Sequence, residues 1–170
     1  KALLAKVLSE LGRFYQSQGD YETARNLYME SRQIARALGD RQSISDSLHN
    51  LGIIAENQGA YEEARRFHTE SLQIKRELED KYGIASSLNS LGVIAANQAV
   101  YEEAKQLYTE SLQIKKELGD KHGIADTLNN LGVIATEQGT YHEAKQLFTE
   151  SLQIRRELAN KHGIAASLNN

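Results

Sequence analysis

The sequence predicts an all-α solenoid of stacked helical hairpins, and three observations carry that prediction. The first is a 40-residue period: Lys81–Asp120 and Lys121–Asn160 carry the same residue at 26 of 40 positions. The register runs back through Arg41–Asp80 and Lys1–Asp40, marked by Leu11-Gly12, Leu51-Gly52, Leu91-Gly92 and Leu131-Gly132. The second is the absence of proline in a chain rich in Ala, Leu, Glu, Lys, Gln and Arg, which permits uninterrupted helices. The third is a pair of apolar stripes at helical spacing inside each unit, parted by a turn. A 40-residue unit cannot hide its apolar face alone, so the units must stack.

The expected elements follow in order. In the first unit, Leu4, Leu8, Leu11 and Tyr15 form one stripe that stops at Gln18-Gly19-Asp20. Gly19 suits a left-handed turn and Asp20 caps a second helix. That helix carries Ala24, Leu27, Tyr28, Ser31, Ile34, Ala35 and Leu38 on its inner side, and Gly39-Asp40 closes it. The second unit repeats the pattern, with Ile44, Leu48, Leu51 and Ala55 buried in a helix over about 42–58. Its second helix, about 61–79, buries Ala64, Phe67, His68, Leu72, Ile74 and Leu78 wholly or partly. Glu62 and Arg66 stand four apart on its outer face, a spacing expected to support it by about 0.2–0.5 kcal/mol. In the third unit Ala99 stands where Gly19, Gly59 and Gly139 stand in the others, and a positive φ there costs about 1 kcal/mol. The fourth unit has the capping-box spacing Thr140–Glu143. The last residues, 161–170, are expected to open a fifth hairpin, with Ile164 and Leu168 on an unpaired apolar face. The chain is expected to form one solenoid domain of four repeats (1–40, 41–80, 81–120 and 121–160) and a partial fifth.

Composition narrows function. The net charge of −3 and the lack of a basic stripe argue against nucleic acid as a partner. With no cysteine there is no disulfide framework, thiol nucleophile or Cys-based zinc site. The longest apolar runs, such as Leu131–Ala135, are too short for a membrane span. No secretory leader is visible, and a cytoplasmic location is expected. The histidines His49, His68, His122, His142 and His162 include no pair at metal-binding helical spacing. Glu110, Glu117, Glu150 and Glu157 recur with the repeat as a solvated face. Gly132 and its equivalents lie within helices and form no phosphate loop. Neither a catalytic set nor a cofactor site is expected.

The repeat resembles the tetratricopeptide (TPR) family. The matching features in the fourth unit are Leu131-Gly132, Gly139-Thr140-Tyr141, Ala144 and Phe148, and they recur along nearly the whole chain. Gly132 and Ala144 are small because two helices cross closely, with Tyr141 and Phe148 filling the space between hairpins. There are departures: Leu replaces the early aromatic of the first helix at 8, 48, 88 and 128. The later Tyr survives only as Tyr15, Ser stands late in the second helix at 31, 71, 111 and 151, and the terminal Pro is missing. The longer period is similar to that of spindle-orientation scaffolds, kinesin light chains and the arrays attached to bacterial STAND-type signalling ATPases.

The resemblance implies a right-handed superhelical solenoid whose first helices line a concave groove. The groove positions would be His49, Asn50, Ile53 and Asn57; Asn89, Ser90, Val93 and Asn97; and Asn129, Asn130, Val133 and Glu137, with Asn169 and Asn170 continuing the row. Asparagine is a poor helix former, so its recurrence before Leu-Gly asks for a reason. An amide offers a donor and an acceptor, which suits an extended peptide backbone. Family members use the Asn before Leu-Gly in this way, which maps onto Asn50 and Asn130; Ser90 and Glu10 replace it elsewhere. Alternatively these amides set the stacking of neighbouring helices, and Ile53, Val93 and Val133 are either a peptide floor or inter-repeat core. The expected function is a non-catalytic scaffold for a protein or peptide. The alternatives are an array that self-associates end to end as a homo-oligomer, or a sensor domain of a larger signalling ATPase.

Overall fold

A computed structural model describes the backbone of residues 1–168 and the side chains of residues 1–159. Among the described residues there are eight α-helices and no strand: α1 Ala2–Ser17, α2 Tyr21–Leu38, α3 Arg41–Asn57, α4 Tyr61–Glu77, α5 Lys81–Asn97, α6 Tyr101–Leu118, α7 Lys121–Glu137 and α8 Tyr141–Leu168. They form two compact units, Lys1–Ile94 and Ala95–Asn170, with the division inside α5.

One turn geometry joins successive helices. A left-handed residue stands at 19, 39, 59, 79, 99, 119 and 139, and the next amide reaches back five residues to a carbonyl, as Asp40 N–H does to Ala35 at 3.0 Å and Thr140 N–H to Ala135 at 2.8 Å. Five of these residues are glycine. The other two are Ala99 (φ 59°) and Glu79 (φ 55°), so the sequence expectation for Ala99 holds and Glu79 is a second strained position. Aspartates cap as expected: Asp20 accepts from Thr23 N–H and Asp40 from Ser43 N–H at 3.1 Å, and Asp80 and Asp120 do the same for Gly83 and Gly123 at 2.9 Å.

In the first unit the core joins α2, α3 and α4 through Ala24, Tyr28, Leu48, Leu51, Ile54 and Phe67. Tyr61 packs on Ala55, Ala64 and Ile94. In the second unit Leu128, Leu131, Ile134 and Ala135 of α7 are buried with Ala104, Tyr108 and Ala144. A buried hydroxyl clamps helix pairs in both: Ser31 Oγ donates to Ala5 O and Ser71 Oγ to Ser45 O at 2.8 Å, and Ser151 Oγ to Ala125 O at 2.7 Å. Serine late in the second helix is therefore a bonded contact as well as a small residue.

Several expectations are corrected. Leu4 and Leu11 are 49% and 44% exposed, and α1 instead buries Ala5, Leu8 and Gly12. Their equivalents Ile44 and Leu51 pack against α2, whereas no described helix covers Leu4 and Leu11 in that way. Leu38 and Leu78 are exposed because each sits in the last turn, beyond the helix contact. Thr140 and Glu143 do not form a reciprocal box: the Thr140 hydroxyl donates to Ala135 O at 2.9 Å and Glu143 accepts from Lys105 Nζ at 2.9 Å. Tyr141 is 70% exposed, whereas Tyr61 packs on the following helix; no described hairpin follows Tyr141. Phe148 seats on Gly132 within its own hairpin rather than between hairpins.

No turn forms near residue 160, where a fifth hairpin was expected to begin, and α8 runs on to Leu168. Ala159-Asn160 replaces the Gly-Asp of 39–40 and 119–120 there. Ala disfavours the left-handed state by about 1 kcal/mol. Glu79 bears a similar cost between packed hairpins. The expectations for Ile164, Leu168, Asn169 and Asn170 fall outside the described side chains.

Candidate functional site

The Leu-Gly pair fixes which residues of each first helix face outward. Gly52 must lie under the His68 ring, Gly12 under Tyr28 and Gly132 under Phe148: a β-carbon at these glycines would come within 2.5–2.8 Å of the ring. With Leu51 and Gly52 buried, Asn50 and Ile53 are left half-buried on either side. The same holds for Ser90 and Val93 in α5. In α7 Asn130 is half-buried and Val133 is 44% exposed. Asn57, Asn97, Asn129 and Glu137 are exposed.

In the first unit His49, Asn50, Ile53 and Asn57 lie along α3, and Asn89, Ser90 and Val93 lie along α5. The helices meet where Ser86 Oγ lies 3.4 Å from His49 Nε2. In the second unit Asn129, Asn130, Val133 and Glu137 lie along α7, and Asn97 ends α5. Glu137 accepts from the Tyr101 hydroxyl at 3.4 Å. Asn89 is engaged within the protein. Asn50, Ser90 and Asn130 make no side-chain hydrogen bond to any described residue, and their polar atoms reach the surface. A cleft of about 380 Å³ between α1 and α3, lined by Lys6, Ser9, Glu10, Gln42, Ser43 and Asp46, lies on the same helices.

His49 differs from the others. Its ring meets His68 edge-on at 5.2 Å between centroids, and its Nδ1 is buried without a partner. Burial, then Lys75 and His68, push its pKa down to about 3, so it is neutral at physiological pH. His68 is fully buried, with Nε2 2.6 Å from a Glu56 carboxylate oxygen, a close approach poorly aligned for a hydrogen bond.

The sequence reading missed this cluster because His49 and His68 lie on different helices and no helical spacing relates them. It also missed two buried lysines. Lys75 lies beside Asp46 and Asp80, while Lys115 donates to Thr127 Oγ1 at 2.8 Å beside Asp120 and Asp126. Burial lowers both lysine pKa values and the aspartates oppose it. The signal available was Lys at 75 and 115 in the register of buried Ala35. Among the described residues no group of three or more His, Asp or Glu side chains is placed to hold a metal, and no helix is long and apolar enough to cross a membrane.

Comparison with known proteins agrees with this architecture. A family model described as tetratricopeptide repeat matches residues 3–77, 83–157 and 123–170. A search of curated protein sequences finds no match. Among solved structures, the chain is similar to BtubC (BKLC) from P. vanneervenii, with TM-score 0.84 and 22% identity, covering 92% of this chain and 65% of that one. It is also similar to the apo form of RapI, with TM-score 0.88 and 18% identity over 98% and 61% of the two chains. A third is a Rap protein complexed with Competence and Sporulation Factor, with TM-score 0.85 and 16% identity over 94% and 45%. The chain thus spans between under half and about two thirds of the length of these structures, and the likeness concerns the fold.

Proposed function

The chain belongs to the tetratricopeptide repeat family, and we propose that it is a non-catalytic scaffold that holds a protein or peptide segment against its first helices. The observation that carries this reading is the state of Asn50 and Asn130. Both are half-buried, both border the Leu-Gly contact, and neither amide is bonded to a described residue. A half-buried amide without a partner gains a hydrogen bond when a peptide backbone arrives, and two such groups recognise main chain rather than one particular side chain. Ile53, Val93 and Val133 beside them supply apolar contact. The complex of a similarly folded Rap protein with Competence and Sporulation Factor lends the reading support by analogy of fold.

The test is a pull-down with the parent chain and with Asn50→Ala and Asn130→Ala, singly and together. Partners retained by the parent and lost by the double variant support the reading. Retention of the same proteins by all forms removes the amides from the mechanism.

A second reading, end-to-end self-association, has its own observation. Leu4, Leu11 and Phe14 of α1 are exposed, while their register equivalents Ile44, Leu51 and Ile54 are buried against α2. Tyr141 and Leu152 of α8 are exposed in turn. Such a contact is heterologous and does not close, so sedimentation should show mass rising with concentration. A monomer at high concentration would end this reading.

A further inference from the structure

We infer that the groove between α2 and α4 is a second binding surface, built for an acidic peptide segment that carries an apolar side chain between its carboxylates. The groove has a volume of about 800 Å³. Four residues that depart from the repeat converge on it. Met29 stands where the other units have Thr69, Thr109 and Thr149, and Arg32 where they have Leu72, Leu112 and Leu152. Arg66 replaces Asn26, Gln106 and Gln146, and Phe67 replaces Leu27, Leu107 and Leu147. The corresponding surface of α6 presents Gln106 and Thr109 with no arginine.

The three other arginines of the groove, Arg25, Arg36 and Arg65, are already engaged. Arg25 forms a two-pronged pair with Glu63 at 3.0 and 2.6 Å, and Arg36 bonds Glu70 at 3.0 Å. Arg32 and Arg66 make no hydrogen bond to a described residue. Arg32 is half-buried, with its guanidinium 5.9 Å from the centre of the Phe67 ring. Burial and the nearby Arg36 charge both disfavour its protonated form, only partly offset by Glu70. It is therefore a pre-positioned planar donor with too little counter-charge around it.

The lining also selects the occupant. Met29, 41% exposed, offers apolar contact beside the two free guanidinia, and Phe67, a core residue, closes the floor of the groove. Glu63 and Glu70 are held by Arg25 and Arg36, so a peptide with spaced carboxylates can reach Arg32 and Arg66 while stepping past these glutamates, whereas a phosphate backbone with a charge at every residue has to lie against them. This surface lies on the second helices, so it stands or falls apart from the amides of α3 and α7.

The experiment titrates the full chain with a fluorescent glutamate-glutamate-leucine-glutamate-glutamate peptide and its all-glutamine counterpart. The acidic peptide should bind saturably and about tenfold more tightly, since charge-assisted contacts separate the two. Arg66→Gln, an exposed change, should weaken it several-fold, and Arg32→Gln with Arg66→Gln about tenfold. Arg156→Gln, which removes the same charge from α8, should stay within about twofold, because it alters only the screened long-range field. Equal loss from Arg156→Gln, no discrimination between the peptides, or tighter binding of single-stranded RNA than of peptide would overturn the inference.

Discussion

Gly132 and Phe148 are in direct register: a β-carbon on Gly132 would stand 2.7 Å from the Phe148 Cε1, and the same offset of sixteen residues relates Gly52 to His68 and Gly12 to Tyr28. The glycine of these three Leu-Gly pairs is thus the seat of its own hairpin's aromatic or imidazole ring. The ring's position fixes the rotation of the first helix, and that rotation leaves the residue before Leu-Gly on the open side.

Alanine at these seats should destabilise by unequal amounts. The His68 ring is fully buried and cannot yield, whereas Phe148 is 37% exposed and can swing outward. Overpacking costs about 1–3 kcal/mol, partly offset by alanine's helix preference of about 1 kcal/mol. Urea unfolding should therefore show a clear loss for Gly52→Ala and a smaller loss for Gly132→Ala.

The two strained turns should respond in the opposite direction. Ala99→Gly and Glu79→Gly each relieve a positive φ and should stabilise by about 0.5–1 kcal/mol, while Gly139→Ala should cost a similar amount. Equal denaturation midpoints for parent and Ala99→Gly would show that the turn carries no strain.

The buried serine clamp gives a third test. Ser71→Ala removes a hydrogen bond to the Ser45 carbonyl and should cost about 1 kcal/mol, whereas valine at 71 adds a steric penalty as well. Thermal unfolding of both variants should rank them in that order.

His49 makes stability depend on pH. Its folded pKa, near 3, lies below the unfolded value, so the unfolded chain binds the extra proton. Stability is fully present above about pH 6.5 and falls as pH drops toward 3, by about 2 kcal/mol at pH 5. The depressed capping carboxylates Asp20 and Asp40 act only below about pH 3.8, so the window from 6.5 to 5 excludes them. Urea midpoints at pH 7 and pH 5 should separate for the parent and separate less for His49→Asn.

The helices, their turns and the aspartate caps were legible in the sequence because each is a local matter. Gly19 and Asp20 announce their roles by residue type, and Ala99 betrays strain by replacing a glycine. Glu79 was not legible, since a charged residue in a left-handed turn is held there by the packing of hairpins on both sides. The row of positions before Leu-Gly follows from register, and Asn50 and Asn130 are half-buried beside that contact. That Asn89 is engaged while Asn50 and Asn130 are not depends on neighbours in three dimensions. The inward turn of His49 onto His68, and the burial of Lys75 and Lys115, likewise arise between helices. Exposure of Leu4, Leu11 and Tyr141 reflects which neighbours are present, information that the repeat pattern averages away.

The most direct test of the scaffold reading is to follow the side-chain amide signals of Asn50 and Asn130 in a proton–nitrogen correlation spectrum while adding a partner captured by the parent chain. These amides should shift and saturate with the partner, and Ala substitution at both should weaken its binding about tenfold, as loss of two hydrogen bonds implies. Saturable binding that leaves both amide signals unmoved would contradict that reading.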